Sequence, residues 1–276
     1  MARILMVAPD ETLLKALRAS PLLEGHAIEA ARGEMDALRQ LRRRAFGVLI
    51  SAPDTALDED VAMLDEVRSL CPGVRIVLLA PEATPDQVIL ALRNRVFACF
   101  SAPFDPSEVA DMVARAAEAQ HWKDGIQVVS ATPGWISVLV ACRLLSAERL
   151  VNFVTELQSD VPEAPRDDFM SAFREVLMNA MEHGGGFDPD QVVEVTAVRT
   201  ERTAVFYLRD PGPGFDFAAL RHAAITQPDD PLTVAEVRAE SGLRPGGFGL
   251  LITRRIVDEM IHSEHGNDVI LIKHLK

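Results

Sequence analysis

Cysteine is scarce in this chain and scattered: Cys71, Cys99 and Cys142 are odd in number and share no Cys-x-x-Cys spacing. That excludes a disulfide framework or a metal or redox pair built from sequence neighbours, and leaves three small buried hydrophobes as the simplest reading. A long apolar run is also missing, since no stretch approaches the ~18 residues that a membrane span requires. The opening Met1-Ala-Arg-Ile-Leu reads as the start of a strand rather than as a signal peptide, so a cytoplasmic protein with no membrane contact is expected. Excess positive charge is lacking too. The formal net charge is -13, which opposes direct nucleic-acid binding unless a local basic patch overrides it. The one basic cluster, Arg39, Arg42, Arg43 and Arg44, falls at the end of a predicted helix, where cations suit the dipole and their stems cover apolar surface.

What is present is an ordinary globular composition, 48% hydrophobic and 25% charged, over 276 residues. A usual domain holds ~100 to 200 residues, so two domains are expected. From Arg3 to about Gln120 short apolar runs alternate with helical stretches. Strands are predicted at Ile4 to Val7, Ala27 to Ala30, Val48 to Ile50, Arg75 to Leu79 and Ala98 to Ser101. Helices are predicted between them, including one from Asp60 to Ser69, and another from Pro106 to Ala119. Fully apolar strands with short connections imply a doubly wound, five-stranded parallel sheet. The polar stretch His121-Trp-Lys-Asp-Gly125 breaks the rhythm and places a boundary there, giving domains 1–122 and 123–276.

The second half is ordered differently. A strand at Ile126 to Ser130 leads to a helix at Ser146 to Leu157 and a second helix at Asp167 to His183. Strands follow at Val192 to Val198 and Ala204 to Arg209, then a long loop. A helix from Gly249 to Met260 precedes a closing hairpin, Ile261 to His265 and Val269 to His274, turning at Gly266-Asn267. The expected architecture is an α/β sandwich, a helical layer on a mixed, largely antiparallel sheet.

The first half resembles the response-regulator receiver domain. Phe46-Gly-Val-Leu-Ile-Ser-Ala looks like the strand that ends in that family's phosphorylated aspartate, and Phe100-Ser-Ala-Pro-Phe-Asp-Pro like its Lys-Pro-Phe turn. The chemistry is gone from the frame. Ala8 and Pro9 stand at the acidic pair, Ala52 at the nucleophile, Ala80 at the hydroxyl and Ala102 at the lysine. Without carboxylates there is no cation, and without a nucleophile no acyl phosphate. Asp10 and Asp54 lie nearby, and each fits a loop or cap role. Residues 1–122 thus read as a pseudo-receiver, which can still dimerise or dock partners through its helices.

Three motifs carry the second half. On the helix Glu175-Val-Leu-Met-Asn179-Ala-Met-Glu-His183, the residues Phe169, Phe173, Val176, Leu177 and Ala180 form a buried stripe. Glu175 and Asn179 share another face. An amide oxygen is a hard ligand suited to Mg²⁺, and a carboxylate one turn away can accept a proton, although such a pair also describes ordinary helix surface. At a strand end, Asp210-Pro-Gly212-Pro-Gly214 offers a carboxylate for an adenine amino group and glycines that allow close approach; an ordinary turn reads the same way. Finally, Arg244-Pro-Gly246-Gly247-Phe-Gly249 opens a helix, where free amides and the helix dipole favour phosphate.

Each signal is weak alone, and their order joins them: Asp210 lies 31 residues after Asn179, and Gly247 lies 37 after Asp210. With Val257-Asp-Glu259 and the ending Gly266-Asn-Asp-Val-Ile-Leu-Ile-Lys, about 150 residues resemble the GHKL ATPases, most closely the anti-sigma-factor serine kinases. The resemblance implies ATP and Mg²⁺. Asn179 would ligate the metal, Glu175 would be general base, Asp210 would bind adenine, and Gly246, Gly247 and Gly249 would contact phosphates. Gly212 and Gly214 would complete the base turn, with residues 215–245 as a lid. Arg244 is the candidate phosphate-neutralising side chain and equally reads as a surface arginine; His183 reads as a structural residue. The implied activity is serine/threonine phosphotransfer, or anti-sigma-like regulation, on a sigma-factor-like or antagonist-like protein, with a homodimer compatible. An ATP-gated binding switch without turnover is the alternative. A histidine kinase fits less well, since only His121 lies between the domains and no two-helix hairpin carries it.

Overall fold

The computed structural model describes residues 1–52, 57–119, 123–159, 161–214 and 249–275. The chain divides into two units, Met1–Asp124 and Gly125–Lys276. In the first, β1 (Arg3–Val7), β2 (Ala27–Ala31), β3 (Val48–Ile50), β4 (Arg75–Ala80) and β5 (Ala98–Ser101) form one parallel sheet in the order β2-β1-β3-β4-β5. Ile4, Val48, Ile50, Val77 and Leu79 are fully buried, because helices cover the centre of a parallel sheet on both faces.

The helices of this unit are α1 (Glu11–Ala19), α2 (Glu34–Arg43), α3 (Leu57–Ala62), α4 (Leu64–Leu70), α5 (Pro85–Arg93) and α6 (Pro106–Glu118). Their starts are written locally. Asp10 accepts from the Leu13 N–H at 2.9 Å, Thr84 and Gln87 form a reciprocal capping box before Pro85, and Asp105 caps α6 before Pro106. Asp10 therefore serves as a helix cap. The single helix expected over Asp60 to Ser69 is two pieces that part at Met63, whose N–H turns to the Asp60 carbonyl three residues back.

The pseudo-receiver positions gather at the carboxyl ends of β1, β3 and β4. Ala52 and Ala80 are buried, and Ala8 holds a positive φ of 36°. Ser51, next to Ala52, has its hydroxyl engaged with the Leu79 backbone, accepting from N–H at 2.8 Å and donating to C=O at 3.2 Å.

In the second unit, β6 (Ile126–Thr132), β7 (Trp135–Ala141), β8 (Val192–Arg199), β9 (Thr203–Arg209), β10 (Glu259–His262) and β11 (Asp268–His274) form a sheet in the order β10-β11-β9-β8-β7-β6. Every described pairing in it is antiparallel. The helices are α7 (Leu144–Glu156), α8 (Glu163–Asn179) and α9 (Gly249–Ile256). Strand β7 has no counterpart among the sequence expectations. Pro133-Gly134 turns it back on β6, with Thr132 opposite Trp135. The helix expected to reach Met260 ends at Ile256, because Glu259–His262 join the ladder of β11 instead.

One face of this sheet is the core. Val138, Val140, Val193, Phe206 and Leu271 are fully buried, as are Phe173 and Leu177 of α8. Phe206 is flanked by Phe169 at 4.6 Å and Phe173 at 4.4 Å between ring centroids. Each such side chain contributes roughly 1.5–3 kcal/mol by burial, which fixes α8 across β9. Among the described residues, no helix is long and apolar enough to cross a membrane.

Candidate functional site

Helix α8 supplies the first two groups. Its apolar stripe, Phe169, Phe173, Val176, Leu177 and Ala180, is buried on the sheet, which turns Glu175 and Asn179 to a half-exposed flank. Asn179 donates from Nδ2 to Glu175 Oε1 at 3.3 Å. That bond orients the carboxamide so that its Oδ1 is the atom left to meet a cation or a phosphate-bound ligand.

Past Asn179 the helix widens into one π turn, Ala180–Gly184, a form that concentrates at functional sites. His183 is exposed on it. The turn carries Gly184 against the Asp210 side chain and Gly185 against Cys142, so closely that a Cβ on either would overlap its neighbour. Cys142 is fully buried, and burial pushes its thiol up to about 11, with Asp188 and Asp210 adding to the effect.

Asp210 follows the last residue of β9 and is half-buried. Its N–H donates to the Asn267 carbonyl at 3.0 Å, tying it to the turn between β10 and β11, and Pro211 ends the ladder beyond it. Its Oδ1 accepts from the Gly212 N–H at 2.8 Å. Burial raises this carboxyl above its ordinary value; the Gly212 N–H pulls it back, and the Asp268 charge pushes it up again. Gly214 has φ +77°, and a Cβ there would overlap the His265 carbonyl oxygen, so the turn closes on the hairpin only with glycine at this position.

On β9, the Tyr207 hydroxyl donates to Asp268 Oδ1 at 2.5 Å. Burial first, and then that bond, push the phenol up to about 12. Arg209 Nε approaches the same carboxylate oxygen at 3.8 Å.

Gly249 is the first residue of α9, and α9 packs on α8. Arg244, Gly246 and Gly247, the rest of that loop, lie outside the described residues, as do residues 215–245, His121 and Asp54. Of the expected site residues, the fold thus brings Glu175, Asn179, Asp210, Gly212 and Gly214 to one end of α8, with Gly249 on the helix beside it. Asn179 and Gly184 stand at the two ends of the π turn, five positions apart. Among the described residues no group of three His, Cys, Asp or Glu side chains could hold a metal ion. Sequence reasoning gave Gly184 and Asp268 no part in the site, and read Cys142 only as a buried hydrophobe and Asn267 only as a turn residue; the run Gly184-Gly-Gly straight after His183 was the available signal.

Residues 141–273 match the family model of the histidine kinase-like ATPase domain. The chain is 26% identical over 153 residues to the transcriptional regulatory protein GlrR of Escherichia coli, covering 52% of this chain and 34% of that protein. It is 29% identical over 119 residues to the response regulator protein FleR of Pseudomonas aeruginosa, covering 43% of this chain and 25% of that one. The chain thus spans about a third or less of the length of these curated relatives. A solved response regulator receiver domain protein, CheY-like, from Methanospirillum hungatei matches at 20% identity and a TM-score of 0.37, over 43% of this chain and 94% of that one. The strand order β2-β1-β3-β4-β5 is that of the CheY-type doubly wound fold. Residues 141–273 are a histidine kinase-like ATPase domain, preceded in the same chain by a unit with the receiver-like fold.

Proposed function

We propose that this protein is a cytoplasmic signalling kinase of the anti-sigma-factor type, transferring the γ-phosphoryl group of Mg-ATP to a serine or threonine hydroxyl of a protein partner. One observation carries the reading: the Glu175–Asn179 pair lies on the same helix whose last turn meets the Asp210 carboxylate. A base-reading acceptor and a phosphate-end pair then face one nucleotide.

The chain's own groups divide the work. Asp210, with Oδ1 held by Gly212, presents its carboxylate to the adenine amino group. Asn179 would offer Oδ1 to a bound metal, its Nδ2 being committed to Glu175. A bound Mg²⁺ supplies charge neutralisation on the phosphates. Glu175 has a second carboxylate oxygen with which to take the proton of the attacking hydroxyl. The new bond joins that hydroxyl oxygen to the γ-phosphorus, the bond to the β-phosphate oxygen breaks, and ADP leaves. Catalysis is then mainly positioning and charge stabilisation. The first unit, with alanine at its nucleophile position, acts as a regulatory or dimerisation module that accepts no phosphoryl group.

The same Glu175–Asn179 bond also suits a carboxylate that only orients the amide, which favours a second reading: ATP as a conformational ligand that gates partner docking. Incubation of the full chain with γ-labelled Mg-ATP and its co-purified partner separates the two. Transfer of label lost in Glu175→Gln supports the kinase. ATP-dependent docking with no labelled product over hours supports the switch, and no binding of ATP at all defeats both.

A further inference from the structure

Gly184 lies directly against the Asp210 side chain, and the manner of that contact is specific. A Cβ built on Gly184 would overlap Oδ1 and Cγ of Asp210 and come within 2.5 Å of its Cβ. The contact is mutual. A Cβ on Gly212 would lie 2.8 Å from Asp210 Oδ1, 2.8 Å from the Gly184 Cα and 3.1 Å from the Gly184 carbonyl oxygen. The last turn of α8 and the turn after β9 therefore meet glycine to glycine, and the Asp210 side chain fills the angle between them.

A clash with a carboxylate tip is relieved by rotating the tip. This one is not, because the Asp210 Cβ is itself within the forbidden distance and its place is set by the backbone. That backbone is anchored, with the Asp210 N–H on the Asn267 carbonyl at 3.0 Å and Arg209 opposite Asp268 in the ladder. The helix end is equally constrained by the buried stripe of α8 and by Gly185 on Cys142. Any side chain at 184 must displace the carboxylate.

We propose that Gly184 is the positioning residue that sets base selectivity: having no side chain, it lets the Asp210 carboxylate lie against the end of α8, aimed at the amino edge of a purine. This rests on the nucleotide reading above and adds to it a residue that touches no ligand. The π turn Ala180–Gly184 is the element that delivers it, since an extra residue in the turn shifts the helix end relative to Asn179. A carboxylate in that place accepts from the 6-amino group of adenine and faces an oxygen in hypoxanthine. ATP and inosine triphosphate differ at that position and in the proton on N1, so the pair reports how the carboxylate is aimed along that base edge.

The test has two arms, both on the full chain with Mg²⁺. Calorimetry with ATP and inosine triphosphate compares the native chain with Gly184→Ala. A hydrogen bond to a charged group supports a preference for ATP of about 10–100-fold, and Gly184→Ala is expected to bring the two affinities within about threefold. A preference that survives in Gly184→Ala overturns the proposal. The second arm reads unfolding midpoints and holds even where the single variant folds poorly. The loss caused by Gly184→Ala should vanish in an Asp210→Gly background, where all three clashing atoms are gone. The same loss in both backgrounds overturns the positioning claim by itself. A native chain that binds neither nucleotide defeats the nucleotide reading and the selectivity with it, while the second arm still decides the packing.

Discussion

Phe206 of β9 lies against Phe173 of α8 with ring centroids 4.4 Å apart. The strand that leads to Asp210 and the helix that bears Asn179 are thereby held through one shared core contact. Replacing Phe206 with alanine removes a fully buried ring with a neighbour on each side. The expected cost is about 3–5 kcal/mol, measured as a fall in the denaturant midpoint. An unchanged midpoint would mean that α8 does not depend on this contact.

The Glu175–Asn179 pair predicts a split between binding and chemistry. Glu175→Gln keeps an acceptor oxygen for the Asn179 amide, so ATP affinity should change less than threefold while phosphotransfer falls about 10²–10⁴-fold. Asn179→Ala removes the oxygen proposed to face the metal and should weaken Mg-ATP binding by about tenfold or more. Equal effects of the two substitutions on binding would argue against separate roles. Calorimetry and single-turnover labelling together give both numbers.

Gly214 is held at φ +77° against the His265 carbonyl. Alanine there meets both backbone strain of about 1 kcal/mol or more and an overlap that the hairpin must yield to. Gly214→Ala should lower both the unfolding midpoint and the ATP affinity, whereas an alanine at Gly73, also at positive φ but in open space, should affect stability alone. A Gly214→Ala chain with native ATP affinity would detach this turn from the site.

Burial, reinforced by Arg254, holds the His262 imidazole down to about 4, below its ordinary 6.5. The folded chain therefore takes up this proton later than the unfolded chain as pH falls. The unfolded state binds more protons between about pH 6.5 and 4, so stability declines across that window on acidification and is unaffected by this group above it. His262→Gln should flatten that part of the profile, carboxylate contributions cancelling in the comparison. Parallel profiles for the two chains would show that His262 is not the group responsible.

The alanines of the first unit make a prediction of their own. Acetyl phosphate should leave residues 1–119 unmodified, as read by mass spectrometry. Ala52→Asp should not restore modification, because Ala8, Pro9 and Ala102 still supply no cation site and no lysine. That substitution places a carboxylate at a buried position, so it should also destabilise the unit. Acid-labile phosphate appearing in Ala52→Asp would show that the frame needs only its nucleophile.

Much of the architecture was local. Capping residues, apolar runs and turn glycines are short-range signals, and they placed the five parallel strands and the ends of most helices within one or two residues. Two of the exceptions have non-local causes. Trp135–Ala141 is a strand because β6 and β8 flank it, and Glu259–His262 leaves the helix because β11 offers a ladder. Neither partner is visible within a helical or strand-length window of sequence.

The order of Glu175, Asn179, Asp210 and the glycine turn is fixed by the chain alone, since each motif is a run of neighbours whose chemistry follows from residue type. Their meeting is not. Gly184 and Asp210 are 26 positions apart, and only the packing of α8 across β9, with the hairpin turn at Asn267 behind it, presses the one against the other. Sequence spacing constrains contacts within a turn or two of helix. A contact across a sheet and its helical layer is set by close packing, in which removing or adding a single Cβ decides where a carboxylate points.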